Sequence, residues 1–396
     1  MIYVDVTAAC LLPLQSGIPR TTRGVFELLR DRLGRERITP IFWQPFRNGY
    51  TALSSRARAL LENPFNQTDE NRRTPRDATL PLLRASFSDL RSWPDAVRFR
   101  QKLQSEDTLF LTSLFPDNRL GYLRRLAKGP GWKVAIFHDA IPLRDPLVPA
   151  WEKTRHVEAL RLLAQLNLVI AVSQAAADDL NALWKEHEIP PASVAILPWP
   201  VPFNLPRPLF SPPARDPKKV LYVSRLKQVK NHATLFTACE KLWSQGISFQ
   251  LELIGCEDEA KESRAVAASI ARLQSTGRPI LWRGHVSEKK LHAAYERATF
   301  TVFPSLREGF GLPIVESLWH GRAVLCSGRD AVGELARAGG CLQTDVGDAE
   351  ILAQTMQWLL QDESACLNLA REAYARPMRS WDEYWRELEP LLESRP

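Results

Sequence analysis

Short, nearly continuous apolar runs recur along the chain, each closed by a glycine, a proline or a polar cluster. In the first half they fall at residues 2–6, 39–43, 108–112, 132–137, 168–172 and 195–197. In the second half they fall at 219–223, 249–254, 280–283, 302–304 and 324–326. Between them, apolar residues recur at helical spacing. Val25, Leu28, Leu29 and Leu33 share one face of a helix expected over about 21–33. Further helices are expected over 151–166, 174–183, 233–245, 288–298 and 349–361, with a short turn or helix at 332–338. Residues 381–392 read as an amphipathic helix with Trp381, Tyr384, Trp385, Leu388 and Leu391 on its apolar side. Ser173 is a natural N-cap for the helix behind it. Buried strands alternating with helices predict parallel sheets covered on both faces.

The alternation runs twice. Prolines at 198, 200, 202, 206, 208, 212, 213 and 217 mark a linker between the two rounds. A chain of 396 residues is long for a single core, which favours the same division. The expected arrangement is an N-terminal domain over 1–203 and a C-terminal domain over 204–379. Each is doubly wound and Rossmann-like, and they face each other across a cleft that takes the ligand. Residues 12–20 are expected to be a loop, and 47–106 an irregular, partly helical insertion.

Composition narrows the class. A hydrophobic fraction of 45% with 24% charged residues is that of a soluble globular protein. No apolar run is long enough for a membrane span, and the first residues lack the build of a signal peptide. The six cysteines form no C-x-x-C pair, which argues for buried thiols in a reducing compartment. The net charge of +7 is unevenly spread. Residues 1–205 hold 27 Lys and Arg against 21 Asp and Glu, whereas the remainder holds 25 against 24. The excess suits an anionic partner or a solvated basic face.

The chemistry concentrates after the run at 302–304. Pro304-Ser305-Leu306-Arg307-Glu308-Gly309-Phe310-Gly311-Leu312-Pro313-Ile314-Val315-Glu316 reads as strand end, glycine-containing loop and helix start. Free N–H groups and the helix dipole make such a loop an anion cradle. The two carboxylates do not suit a phosphate; they suit hydroxyl groups, whose hydrogen bonds they accept. The combination fits a nucleotide sugar. Upstream, Arg225 and Lys230 lie on one loop between strand and helix, where two cations clamp a diphosphate. His138 closes the run 132–137 at a strand end, with Asp139 either orienting its ring or capping a turn. Gly17 lies in another loop between strand and helix.

Glu308-Gly309-Phe310-Gly311-Leu312-Pro313-Ile314-Val315-Glu316 resembles the E-x7-E signature of the family 4 glycosyltransferases, retaining enzymes of the GT-B fold. Phe303-Pro304-Ser305, Val223-Ser224-Arg225 with Lys230-Asn231, His138-Asp139 and Val172-Ser173 support the likeness. The resemblance implies that Glu308 holds the donor sugar, Glu316 the ribose, and Arg225 and Lys230 the diphosphate. It places the backbone of Gly309, Phe310, Gly311 and Leu312 at the sugar and phosphates, and His138 at the donor sugar. Gly17 then nears the phosphates or the acceptor, and Arg283, Gly284, His285 and Val286 flank the base. It implies that the terminal helix, 380–396, packs back on the first domain. The implied activity is transfer of a hexose from a GDP-mannose-type or UDP-sugar donor to a glycan or lipid-linked glycan. Cell-surface polysaccharide synthesis, such as that of lipopolysaccharide, is the expected setting. No cofactor and no metal ion are expected, and no D-x-D motif stands at a strand end. The reaction is expected in the cytoplasm, with peripheral contact between the basic first domain and an anionic membrane. Two departures are evident: Trp199-Pro200-Val201-Pro202 replaces the family's Asn-Gly-Val-like turn, and the loop at 17 has a single glycine.

Three rival readings carry less. A dehydrogenase lacks G-x-G-x-x-G after Val6. A nucleotide-sugar epimerase of GT-B type fits the diphosphate cleft but not E-x7-E. A nucleic-acid or membrane-binding protein rests on Arg20, Arg23, Arg30, Arg32, Arg35 and Arg37 alone.

Overall fold

The computed structural model describes residues 1–11, 17–45, 48–62, 103–114, 116–203, 205–258 and 260–394. Most of the expected insertion at 47–106 and part of the expected loop at 12–20 lie outside the described residues. The described chain divides into two compact units. One holds the residues up to 202 together with those from 379 onward, and the other holds 203–378.

The first unit is built on a seven-stranded sheet of β1 (Ile2–Asp5), β2 (Ile38–Gln44), β3 (Gly49–Thr51), β4 (Thr108–Leu111), β5 (Trp132–Phe137), β6 (Leu168–Ala171) and β7 (Val194–Ile196). The order is β3-β2-β1-β4-β5-β6-β7, with every pair parallel except β2 and β3. Strands β4 and β6 are buried at every position. That is why their sequences read as unbroken apolar runs rather than alternating ones. The order reverses between β1 and β4, where Asp5 is buried. Its carboxylate accepts from Thr7 N (2.9 Å), the Tyr50 hydroxyl (2.8 Å) and Arg119 Nη1 (3.2 Å). Arg119 is shared with Asp117 at 2.7 Å. A buried charge survives only when paired in this way.

The helix expected to start near 21 runs over Gly17–Leu33, and a short helix over Thr7–Leu11 precedes it. Gly17 is therefore a helix residue and not a loop residue. It lies in the left-handed region at φ +24°, with open space where a side chain would project. Two of the six arginines offered for a basic surface, Arg20 and Arg23, are buried on this helix. Arg23 donates to the carbonyls of Ala9 (2.7 Å) and Leu60 (3.3 Å). Burial pushes its pKa down to about 10. The helix Trp381–Glu393 belongs to this unit. It opens with a capping box between Ser380 and Glu383, pairs Asp382 with Arg32, and receives Val201 N at Arg379 O (2.9 Å). A Cβ on Gly24 would lie 2.3 Å from the Trp381 ring, so the glycine is what lets the two helices approach.

The second unit carries a six-stranded parallel sheet of β8 (Lys219–Val223), β9 (Gln250–Ile254), β10 (Ile280–Trp282), β11 (Phe300–Phe303), β12 (Val324–Cys326) and β13 (Cys341–Gln343), in the order β10-β9-β8-β11-β12-β13. Helices His232–Ser244, Lys261–Ser275, Leu312–Trp319 and Ala349–Gln361 flank it. Leu235, Leu242, Leu251, Ile314, Leu325 and Met356 are among the residues of its core. The reversal falls between β8 and β11, the place where doubly wound sheets bind ligands at their carboxyl ends.

The proline-rich stretch expected to be a linker is fastened to this unit from 207 onward. The Arg207 guanidinium donates to the carbonyls of Leu318 (2.9 Å), Trp319 (2.9 Å), Ala373 (3.0 Å) and Arg376 (3.2 Å). It thus caps the C-terminal ends of helices Leu312–Trp319 and Glu363–Ala375 with positive charge. Arg322, fully buried, ties Ser211 O (2.6 Å) and Ser211 Oγ (2.8 Å) to Tyr295 O (3.0 Å) and Glu296 O (2.7 Å). Among the described residues no helix is long and apolar enough to cross a membrane.

Candidate functional site

Strands β8 and β11 are parallel neighbours, so the loops that leave their carboxyl ends begin side by side. The first loop carries Arg225, makes a tight turn over Gln228–Lys230 and reverses at Asn231 (φ 57°) into helix His232–Ser244. Asn231 Nδ2 donates to Val346 O at 2.7 Å, which fixes that turn. The second loop carries Ser305, Glu308 and two glycines. It ends at Gly311 (φ 104°), where helix Leu312–Trp319 starts. The loops are sewn together by their backbones. Leu306 N donates to Val229 O (2.9 Å), and the buried Ser305 hydroxyl reaches the same carbonyl at 3.3 Å. The Tyr222 hydroxyl, at the heart of β8, donates to Lys230 O at 2.5 Å.

This stitching sets Lys230 Nζ 2.5 Å from Glu308 Oε1, with the two side chains 19% and 11% exposed. A cation and a carboxylate, both mostly shielded, thus meet at the point of strand reversal. Next to them the chain is crowded. A Cβ on Gly255, after β9, would lie 1.8 Å from Ser224 O, so only glycine fits. Gly255 N also donates to Gly284 O at 2.8 Å.

Glu316 sits one helix turn beyond the loop and is 4% exposed. Its Oε2 accepts from the Tyr295 hydroxyl at 2.7 Å. The Tyr295 ring stacks on His320 at 4.9 Å and 17°, and His320 Nδ1 lies 2.7 Å from Glu316 O. His292 Nδ1 lies 2.9 Å from His320 Nε2. Burial pushes the His320 pKa down to about 3, so its ring is neutral at pH 7. Because a carbonyl only accepts, Nδ1 carries the proton and Nε2 accepts from His292.

The other expected residues are placed as follows. Arg225 is half-exposed and 3.5 Å from Asp258. Arg283 is held at 2.5 Å by the buried Glu252 of β9, a partner absent from the sequence-based expectation. Gly284 takes φ 64°. His285 follows it, and Val286 packs against Leu221, Ile254, Leu291 and Tyr295. Phe310 and Leu312 are buried beside Gly309.

His138 and Gly17 belong to the first unit. His138 follows β5, and its Nε2 lies 2.9 Å from Thr112 O, so that nitrogen bears the proton. Burial lowers its pKa. Its ring stacks on Trp199 (5.9 Å, 24°), which stacks in turn on Tyr384 (5.5 Å, 14°). Asp139 is exposed and accepts from Ile141 N at 3.1 Å, so of its two expected roles it performs the turn cap. Tyr295, His320, Glu252 and Trp199 were not expected at these positions. Tyr295 carries the usual signal of a core residue, four positions after Leu291, and nothing in that spacing discloses where its hydroxyl goes.

Residues 210–376 match the family described as glycosyl transferases group 1. The match lies within the second unit and takes in nearly all of it. The loops after β8 and β11 and Glu316 all lie inside that match. A relative from Escherichia coli, the serotype-specific mannosyltransferase WbdA, is 24% identical over 242 residues. The match takes in 57% of this chain and 29% of the relative, so it spans less than a third of that protein. The amylovoran biosynthesis glycosyltransferase AmsK of Erwinia amylovora is 26% identical over 68% of this chain and 66% of its own length. Two solved structures share the architecture. The sucrose-phosphate synthase of Thermosynechococcus elongatus superposes with a TM-score of 0.68 at 16% identity, covering 99% of this chain and 98% of its own. Anabaena HepE, solved with UDP and glucose, gives 0.67 at 16% identity over 100% and 99%. The fold is GT-B.

Proposed function

We propose that this chain is a retaining family 4 glycosyltransferase that moves a hexose from a nucleotide-diphosphate sugar to a glycan or lipid-linked glycan in cell-surface polysaccharide synthesis. The observation that carries the reading is the contact of Lys230 with Glu308 on the two loops at the β8/β11 reversal, followed by Glu316 on the next helix. The cations Lys230 and Arg225 suit the diphosphate, and the carboxylates of Glu308 and Glu316 suit sugar and ribose hydroxyls. The name of one relative, the mannosyltransferase WbdA, makes GDP-mannose the first donor to try and UDP-sugars the second. Six free cysteines suit a reducing compartment, and with it the cytoplasm.

In this reading the bond from the anomeric carbon to the diphosphate breaks through an oxocarbenium-like state. The acceptor oxygen bonds to the same face of that carbon, and its proton passes to the departing diphosphate. Lys230 and Arg225 neutralise the charge that develops on the leaving group. Because these side chains supply that charge, no metal is assigned to the step.

A thermal-shift series with GDP, UDP, GDP-mannose and UDP-glucose tests the donor site. A matching nucleotide at a hundred times its Kd raises stability by about 2.7 kcal/mol. Glu316→Ala removes most of that gain. No shift with any of the four, or an unchanged shift in the variant, overturns the assignment. NMR of the product of a working donor and acceptor then reads the anomeric outcome, and inversion would exclude the retaining course.

A further inference from the structure

We propose that Tyr295 is a positioning residue that orients Glu316 toward the nucleotide ribose, so that the ribose preference of the site depends on a hydroxyl one helix away. The proposal rests on the donor-site reading above. Glu316 is carried by helix Leu312–Trp319 and Tyr295 by helix Glu288–Arg297. A glutamate has three rotatable side-chain bonds and does not hold one orientation unless its surroundings impose it. Here the Tyr295 hydroxyl grips Oε2 at 2.7 Å and also reaches Pro313 O at 3.4 Å, at the start of the same helix. The hydroxyl is itself immobilised. The Tyr295 ring packs in a cluster with Leu221, Ile254, Leu291, Ala294 and Ala298 on one side. The parallel ring of His320 covers it at 4.9 Å. His320 returns to Glu316 by a second route, donating from Nδ1 to the main-chain carbonyl of that residue at 2.7 Å, while His292 holds its other nitrogen. Side chain and backbone of Glu316 are thus set by one connected group.

Burying a carboxylate is costly to a fold, and an apolar residue of similar size would fill the position without that cost. Locking the rotamer in advance removes an ordering cost from nucleotide binding, as preorganised sites do.

The test compares nucleoside diphosphates with and without ribose hydroxyls by calorimetry, using GDP and UDP beside their 2′,3′-dideoxy counterparts. For the nucleotide that binds, the wild-type protein prefers the ribose form by about tenfold, the effect of one charge-assisted hydrogen bond. Tyr295→Phe lowers that preference to about twofold by weakening the ribose form, and leaves dideoxy binding unchanged. Glu316→Gln abolishes the preference, and adding Tyr295→Phe to it changes nothing further. If Tyr295→Phe does not fold, His320→Gln decides in the same assay, because it removes the ring that holds the tyrosine. A wild-type preference retained in the variant overturns the proposal and leaves the donor site standing. A loss of ribose and dideoxy binding in equal measure overturns it too, since a purely structural role weakens both. Absence of any nucleotide binding to the wild-type protein overturns the donor-site reading itself.

Discussion

Lys230 and Glu308 neutralise each other across 2.5 Å, so neither is a stray charge in the loops that hold them. Lys230→Ala should lower kcat/KM by about 10²–10³, the usual effect of removing a group that stabilises developing charge. A steady-state assay with the working donor checks it, and a change under about threefold would remove Lys230 from the chemistry. Gly255 makes a sharper structural case. Gly255→Ala places a methyl 1.8 Å from Ser224 O at the root of the Arg225 loop, against backbone that cannot move aside cheaply. We expect a loss of about 3 kcal/mol or more in urea unfolding. The residues at the site were legible in the sequence because glycines and paired charges are rare in that density after an apolar run. Their partners were not. The bond from Tyr295 to Glu316 and the pair Arg283–Glu252 join positions 21 and 31 residues apart, and no local period encodes them.

Among the elements, the column His138–Trp199–Tyr384 joins a strand end, the chain leaving the first sheet and the terminal helix, all within one unit. Trp199→Ala should cost about 3–5 kcal/mol, the range for emptying a buried aromatic site. The Tyr384 hydroxyl is buried and has no hydrogen-bond partner among the described residues. Tyr384→Phe should therefore leave the thermal midpoint unchanged or raise it slightly. A fall of several degrees would show that the hydroxyl is satisfied after all. The central strands could be read from sequence because burial on both faces leaves them uniformly apolar. The antiparallel edge strand β3, the last strand β13 and helix Glu363–Ala375 could not. Two are three residues long, and the helix buries Cys366, Ala370 and Ala373, whose small side chains make a faint stripe. The anchoring of the proline-rich segment was hidden for a related reason. Arg207 and Arg322 hold the proline-rich segment mainly through backbone carbonyls, which every residue offers and no sequence pattern marks.

For the whole molecule, a positive formal charge is a weak guide to surface. Arg20, Arg23 and Arg119 of the basic first half are buried, so part of its excess faces other protein atoms rather than a partner. Buried histidines bear more directly on behaviour in solution. His232 and His320, both in the second unit, have pKa values pushed down by burial to about 3. Unfolded, each titrates near 6.5, so between about pH 6.5 and 3 the unfolded chain binds more protons than the folded one. Stability then falls as pH drops through that window. At pH 5 the loss is about 2 kcal/mol per histidine relative to pH 7.5. Urea unfolding followed at both pH values should show it, over and above the response of the carboxylates. His232 lies against Tyr222 and Phe236, an aromatic setting that accepts a phenyl ring. His232→Phe should therefore fold and lessen the acid sensitivity by the share of one histidine, about 2 kcal/mol at pH 5. An unaltered pH slope in that variant would mean that His232 keeps its proton in the folded state, and the burial argument for it would be wrong.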